Sequence, residues 1–157
     1  MFKKILIANR GEIAVRIIRA CKEYGISTVA VHSDVDKESM HVRMADESVC
    51  IGSHQPANSY LNIPAIMSAI EITNSEAVHP GYGFLSENAN FVRVLEENNI
   101  KFIGASSKLI EMMGDKIQAK KIAKENGLPV IEGSEGGVKD IKEAKELSSG
   151  VPRLGHC

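Results

Sequence analysis

Short unbroken apolar runs alternate along the chain with longer segments whose apolar residues have helical spacing. The run from Ile5 to Ala8 is typical of a strand buried on both faces of a parallel sheet. The next segment repeats apolar residues along one helix face: Ile13, Ile17, Ile18 and Cys21. Residues 27–32 favour a second strand, so this part of the chain predicts a parallel strand–helix–strand unit with a right-handed crossover.

Polar residues mark the predicted helix starts, and glycines mark the helix ends. Asn9, with Glu12 three positions later, predicts a capping box on the first helix, and Gly25 predicts its end. Later helices have predicted N-cap residues at Asn62, Ser86, Ser106 and Asp115. Gly127 should end the helix that Asp115 begins, and residues 141–147 predict a last short helix.

The remaining apolar runs predict three more strands. Residues 45–52 favour an edge strand, residues 77–78 a third central strand, and residues 100–104 a fourth central strand. Because strands and helices alternate, we expect an α/β fold with a doubly wound, mainly parallel sheet and helices on both faces. Ligands of such sheets bind beyond the carboxyl ends of the strands.

Composition and charge narrow the function classes. The chain has 157 residues, 43% of them hydrophobic, which is typical of one globular domain. A net charge of −1 gives no electrostatic reason to expect nucleic acid or an anionic membrane as a partner. No apolar run reaches the length of a signal peptide core or a membrane span. Three cysteines without C-x-x-C spacing favour a reduced, cytoplasmic protein.

The stretch from His79 to Asn88 is the strongest candidate for a binding site. Gly81 and Gly83 flank Tyr82 directly after a predicted strand, which allows a positive φ or the close approach of a ligand. The alternative is a tight turn whose tyrosine packs on the surface. His79 has no partner base or nucleophile nearby in sequence, so a structural role is favoured over acid–base catalysis.

Other common sites lack their motifs. Nicotinamide binding is disfavoured because Gly11 is the only glycine where the dinucleotide fingerprint needs three. No phosphate-binding loop with a Gly-Lys-Ser/Thr ending, no nucleophile elbow and no cluster with metal-ligand spacing is present in the sequence. Lys116 stands at a predicted helix start, where a cation is unfavourable unless an anion such as phosphate shares the site, although a solvated lysine is equally consistent.

Three segments resemble the N-terminal part of biotin carboxylase, the ATP-grasp enzyme found in bacterial acetyl-CoA carboxylase and as a module of pyruvate and propionyl-CoA carboxylases. They occur in the family's order and spacing, and they are residues 7–14, 79–88 and 114–116. The resemblance runs from about Phe2 to Gly150, includes residues 59–64, and implies a Rossmann-like domain that precedes the ATP-grasp fold. It divides the chain into that domain at 1–113, the start of the ATP-grasp region at 114–150, and an atypical tail at 151–157.

The resemblance also implies a reaction and its participants. In the family, ATP phosphorylates bicarbonate, and the carboxyphosphate formed releases CO2, which carboxylates biotin held on a carrier protein. ATP, Mg2+ or Mn2+, bicarbonate and carrier-bound biotin are therefore the implied cofactors and substrates. A biotin carboxyl carrier protein, carboxyltransferase subunits and a second copy of the chain are the implied partners. The expected role is the first half-reaction of acetyl-CoA carboxylase, in fatty acid synthesis.

Site residues carry over only where the motifs match. The resemblance implies that Lys116 contacts ATP phosphates and that Tyr82 and Gly83 lie beside biotin. It places three residues of the first helix at a homodimer interface: Arg16, Arg19 and Glu23. For those three, a plain solvated helix face is the alternative.

The tail departs from the family pattern. After Gly150 the family continues with an apolar strand and a glycine-rich loop, whereas Pro152 and Gly155 disfavour such a strand here. We therefore expect a truncated chain that lacks the catalytic residues and metal ligands and is inactive alone. The alternatives are the matching module of pyruvate carboxylase or a non-catalytic α/β binding module.

Overall fold

The computed structural model describes residues 1–130 and 141. Residues 1–111 form one compact unit, and residues from 112 onward belong to a second. Among the described residues, the strands are β1 (Lys4–Ile7), β2 (Ser27–His32), β3 (Glu47–Cys50), β4 (Ala77–His79) and β5 (Lys101–Phe102). The helices are α1 (Gly11–Glu23), α2 (Met40–Met44), α3 (Ile63–Thr73), α4 (Ala89–Glu97), α5 (Ser107–Gly114) and α6 (Lys116–Glu125).

The five strands form one parallel sheet in the order β3-β2-β1-β4-β5. The chain builds outwards from β1 to β3 on one side, then returns to the other side of β1 through β4 and β5. The strand order therefore reverses between β1 and β4, which creates a topological switch point at their carboxyl ends. The predicted doubly wound α/β fold is confirmed.

Helices cover both faces of the sheet because alternate residues of each buried strand point to opposite sides. Ile5 and Ile7 of β1 pack with most of the buried residues of α1. Leu6 and Ala8 belong to the opposite core, which also contains the buried apolar residues of α3 and α4. The predicted core position of Cys21 is confirmed, and burial raises the pKa of its thiol.

One prediction about an apolar segment was wrong. Residues 100–104 do not form a central strand, because β5 is a two-residue strand at the edge of the sheet with β4 as its neighbour. Phe102 is buried in that strand and Lys101 is exposed. The strand is therefore covered on one face, whereas a central strand would be covered on both.

Three predicted N-caps are confirmed. Asn62 accepts from the amide of Ala65, Ser106 from Leu109, and Asp115 from Ile117 and Gln118. The ends of α1 and α6 at Gly25 and Gly127 are also as predicted.

The cap of α4 was assigned to the wrong residue. Asn88 caps this helix by accepting from the amide of Phe91 at 2.9 Å. Ser86 belongs to the preceding turn, where its amide donates to the Gly83 carbonyl at 2.9 Å. Both residues are good capping types, and the sequence places them too close together to choose between them.

The helix predicted at 141–147, apart from Ile141, and the tail at 151–157 lie outside the described residues. Across residues 1–130 and 141, no helix combines the length and the apolar character that crossing a membrane requires.

Candidate functional site

The switch point brings together two segments that lie far apart in sequence. The Ala8 amide donates to the His79 carbonyl at 2.9 Å, so β1 and β4 end side by side. Residues 9–10 therefore lie opposite residues 80–88. We call residues 80–88 the Gly-Tyr-Gly turn. These are the first and second segments on which the resemblance rests, and the crevice between such strand ends is where doubly wound folds bind ligands.

Asn9 joins the two segments, and its predicted role as an N-cap was wrong. Its side-chain nitrogen Nδ2 donates to the carbonyl oxygens of Pro80 and Tyr82, each at 2.8 Å. Its Oδ1 accepts from the Arg10 amide at 2.9 Å. Arg10 occupies the N-cap position of α1 without a side-chain capping bond. The side-chain amide of Asn9 thus bonds across the crevice to the Gly-Tyr-Gly turn. The sequence spacing around Asn9 gives no indication of these partners.

The Gly-Tyr-Gly turn has an unusual backbone. Gly81 and Gly83 have φ values of 65° and 72°, and Phe84 follows with a φ of 44°. A Cβ atom on Gly81 would lie 2.7 Å from the Ile13 side chain and 2.8 Å from Asn9 Nδ2, whereas one on Gly83 would meet nothing within 4 Å. Gly81 is therefore required by packing as well as by φ, and the space beside Gly83 is open.

Tyr82 presents its ring to solvent between these two glycines. Its exposed fraction is 78%, although Asn9 fixes its carbonyl oxygen. The turn thus has a fixed backbone and an uncovered aromatic side chain, which suits an apolar or planar ligand better than an internal packing role.

His79 has a structural contact in this turn. Its Nδ1 accepts a hydrogen bond from the Gly81 amide at 3.0 Å. That bond requires an unprotonated Nδ1, and burial also lowers the pKa of His79. This geometry is consistent with the structural role that the sequence favours for His79.

Arg10 covers an aromatic pair at the other end of the turn. The rings of Tyr60 and Phe84 stack with centroids 5.1 Å apart and an interplanar angle of 18°. The Arg10 guanidinium carbon lies 5.5 Å from the Tyr60 centroid and 5.8 Å from that of Phe84. These cation–π contacts anchor Phe84, which offsets part of the cost of its left-handed backbone.

Asp36 connects this aromatic pair to the end of β2. Its Oδ2 accepts from the Tyr60 hydroxyl at 2.7 Å and from Ser33 Oγ at 2.8 Å, and Arg10 lies 3.5 Å away. Burial alone would favour the neutral carboxyl, but these hydrogen bonds and the Arg10 charge lower the pKa of Asp36 below its ordinary value. Burial and the bond to Asp36 raise the pKa of Tyr60 to about 12.

Sequence reasoning did not single out Tyr60 as a site residue. Its hydroxyl also accepts from the Ser33 amide at 3.1 Å, and its ring is fully buried. The one available signal was a tyrosine beside Ser59 in the 59–64 segment of the resemblance. That segment does not indicate that the tyrosine reaches the loop after β2.

His41 lies buried in α2 near this network. Neither ring nitrogen makes a hydrogen bond of ordinary geometry, although the Val31 backbone is close enough to favour the protonated ring. Burial dominates and lowers the pKa of His41, while nearby Asp36 opposes that effect and nearby His32 and Arg10 add to it.

The three predicted interface residues share an exposed face of α1. Arg16, Arg19 and Glu23 line an open groove of about 820 Å³, whose other wall includes Ser39 and Met40 at the start of α2. The groove contains both signs of charge and an exposed methionine, so its chemistry is compatible with the same face of a second chain.

Lys116 belongs to the second unit and is the first residue of α6. Asp115 caps that helix from the preceding position, and Lys116 is exposed. Within residues 1–130 and 141, no three His, Cys, Asp or Glu side chains gather as they would around a metal ion. The described residues thus provide an exposed cation at a helix start and do not fit a metal centre.

Comparison with known proteins identifies relatives over most of the chain. The family described as biotin carboxylase, N-terminal domain, matches residues 1–110. The biotin carboxylase of Haemophilus influenzae is 53% identical over 152 residues, which is 96% of this chain and 34% of that protein. The human mitochondrial propionyl-CoA carboxylase alpha chain is 55% identical over 147 residues, which is 94% of this chain and 20% of that protein.

A solved structure shares the fold. The biotin carboxylase domain dimer of Hydrogenobacter thermophilus 2-oxoglutarate carboxylase, in complex with MgADP, ADP and bicarbonate, has a TM-score of 0.88 and 49% identity. The match covers 99% of this chain and 34% of that one. The chain spans about a third of the length of these bacterial relatives.

Proposed function

The chain belongs to the biotin carboxylase family, and we propose that it is the N-terminal part of an enzyme that carboxylates biotin on a carrier protein. The observation that carries the proposal is the pairing of residues 9–10 with the Gly-Tyr-Gly turn at the switch point, within the part of the chain that the family matches. ATP transfers its terminal phosphoryl group to bicarbonate, giving carboxyphosphate and ADP. Carboxyphosphate releases phosphate and CO2, and the biotin ureido nitrogen takes up CO2 as it loses its proton.

In this proposal Tyr82 and Gly83 lie beside biotin. Support comes from the exposed Tyr82 ring and from the open space where a Gly83 side chain would project. A bicyclic, partly apolar ligand can lie against such a ring while the glycine backbone allows close approach. Asn9 holds the backbone between them, so the ligand meets a turn whose shape is already set.

Lys116 is the proposed contact for the ATP phosphates. Support comes from its exposed position at the start of α6, where an anion would relieve the unfavourable placement of a cation. The Hydrogenobacter thermophilus relative is described with MgADP and bicarbonate. In the intact enzyme Mg2+ or Mn2+ supplies charge stabilisation for phosphoryl transfer. Because the described residues do not fit a metal centre, its ligands have to come from other parts of the protein.

The groove on α1 is the proposed homodimer contact. Arg16, Arg19 and Glu23 are exposed there, and the same relative is described as a dimer. The remaining proposed partners are a biotin carboxyl carrier protein and carboxyltransferase subunits. The relatives differ in the acceptor that their names specify, so the activity they share is the biotin half-reaction. We place that half-reaction in acetyl-CoA carboxylase, which serves fatty acid synthesis.

The test uses the complete gene product that carries this sequence. With free biotin as the substrate, we expect ATP cleavage that requires bicarbonate and formation of carboxybiotin. Replacing Lys116 by Ala should reduce both. The 157-residue chain alone should show neither activity. ATP cleavage by the complete protein that ignores bicarbonate and biotin would contradict the proposal, and binding of ATP or biotin without any turnover would favour a non-catalytic binding module.

A further inference from the structure

We infer that Asn9 is a positioning residue that sets the shape of the Gly-Tyr-Gly turn and thereby the affinity of the site for biotin. This inference deepens the proposed function and rests on it for the identity of the ligand. Asn9 does not itself belong to the exposed surface, since its exposed fraction is 3%. It acts through the carbonyl groups on either side of Gly81, which it reaches from the end of β1.

The hydrogen bonds of Asn9 leave little freedom to the turn. Both hydrogens of its side-chain amide are directed to backbone oxygens, those of Pro80 and Tyr82, at 2.8 Å. Its oxygen is held in turn by the Arg10 amide at 2.9 Å, so the amide cannot flip without losing all three bonds. Holding both carbonyl groups at once requires two N–H donors, which the side-chain amide of Asn9 provides.

The backbone of Gly81 also packs closely against the side chains of Asn9 and Ile13. The position of a Gly81 Cβ would lie 2.8 Å from Asn9 Nδ2 and 2.7 Å from the Ile13 side chain. The turn thus lies directly against Asn9 and α1, with a left-handed Gly81 as the residue between the two bonded carbonyls. The bonds and the close approach depend on each other, because a larger residue at 81 would push the turn away from the amide.

The other end of the turn is anchored by aromatic side chains that Asn9 does not contact. Phe84 is stacked on Tyr60 and covered by Arg10, which fixes the chain two residues after Tyr82. Between these anchors, the Tyr82 side chain and the open face of Gly83 are the parts of the turn left uncovered. Removing the Asn9 donors should therefore shift Tyr82 and Gly83 while Phe84 keeps its packing.

Asn9→Asp is the most direct test, because it keeps the size and one acceptor but places carboxylate oxygens against two carbonyl oxygens. In the complete protein we expect the KM for free biotin to rise by at least about tenfold, as the loss of two hydrogen bonds implies. Bicarbonate-dependent ATP cleavage measured without biotin should stay within about twofold. Asn9→Ala, which introduces no buried charge, should show the same split if Asn9→Asp fails to fold.

Asn62→Asp is the matched control. Asn62 uses its side-chain oxygen as an acceptor for the Ala65 amide, and Asp retains that acceptor. The same chemical change at a helix cap should leave the KM for biotin unchanged. An unchanged KM in the Asn9 variants, or an equal loss of the ATP cleavage measured without biotin, would overturn the inference.

A second readout on the 157-residue chain separates this inference from the proposed function. The backbone amide resonances of Gly81, Tyr82 and Gly83 should move in the Asn9 variants, while those of α3 stay in place. If the complete wild-type protein does not carboxylate biotin, the proposed function and the biotin part of the inference fail together. The positioning of the turn is then supported by shifts confined to it and overturned by their absence.

Discussion

The Tyr60 hydroxyl donates a 2.7 Å hydrogen bond to the Asp36 carboxylate, across 24 residues of sequence. The same hydroxyl accepts from the Ser33 amide, so it connects the loop after β2 to the segment that leads into α3. Because the Tyr60 ring also stacks on Phe84, this one side chain links the end of β2 to the Gly-Tyr-Gly turn.

Tyr60→Phe should lower the free energy of unfolding by about 1–2 kcal/mol, as expected when a buried amide and a carboxylate each lose a partner. Urea denaturation monitored by circular dichroism measures the change. Tyr24→Phe is the control, since Tyr24 is 66% exposed and should be neutral. Equal stability of the two variants would contradict the role assigned to the hydroxyl.

Stability should fall when the pH drops below about 6.5. Burial lowers the pKa of His41 and of His79 from the ordinary value of 6.5. Between that value and the lowered ones, the unfolded chain binds more protons than the folded chain, so acidification favours unfolding. The free energy of unfolding measured in urea should be smaller at pH 5.5 than at pH 7.5.

Replacing His41 tests whether the buried histidines cause this pH dependence of stability. His41→Leu removes a buried titrating group of similar size, so it should reduce the difference between the two pH values. His54→Gln changes an exposed histidine and should leave the difference as it was. A pH dependence identical in His41→Leu and wild type would exclude His41 as a contributor.

The two glycines of the turn should respond differently to alanine. Gly83→Ala places a side chain in open space and should cost about 1 kcal/mol, the penalty of a left-handed residue. Gly81→Ala has the same penalty and adds a clash with Ile13 and Asn9, so it should destabilise clearly more. Thermal unfolding of the pair measures the difference, and equal melting temperatures would argue against the close packing.

Charge reversal on α1 tests the proposed dimer. Arg19→Glu should weaken self-association of the complete protein by at least about tenfold, because it reverses a charge within the proposed contact and so disrupts its electrostatic complementarity. Sedimentation velocity over a range of concentrations measures this. Lys108→Glu makes the same change in charge at an exposed residue outside the groove and should leave the association unchanged. Equal effects of both variants would show a general charge effect and no interface at Arg19.

Lys116→Ala should raise the KM for ATP in the complete protein by about tenfold or more, since one charge-assisted contact to phosphate is lost. Lys121→Ala is the matched control on the same helix, at a side chain that is 77% exposed and pairs with Glu125. Steady-state kinetics with saturating bicarbonate and biotin compares the two. An unchanged KM in Lys116→Ala would remove this residue from the nucleotide site.

Local signals in the sequence determined the elements and the fold class. The run Ile5–Ala8 and the helical spacing after it predicted β1 and α1, and caps such as Asn62 and Asp115 predicted helix starts correctly. Such signals work because strand and helix periodicity and capping depend on residues within a few positions of each other. The segments at 7–14, 79–88 and 114–116 also carried the resemblance to the family, which the comparison over residues 1–110 confirms.

Only the tertiary structure decided how those two segments meet. Asn9 looked like a helix cap because its local spacing fits one, yet its partners are 71 and 73 residues away. Asp36 and Tyr60 likewise have no local pattern that pairs them. Which strand lies beside which, and therefore which side chains share the crevice between β1 and β4, depends on sheet order. Sheet order follows from packing the whole core, and no short stretch of sequence contains it.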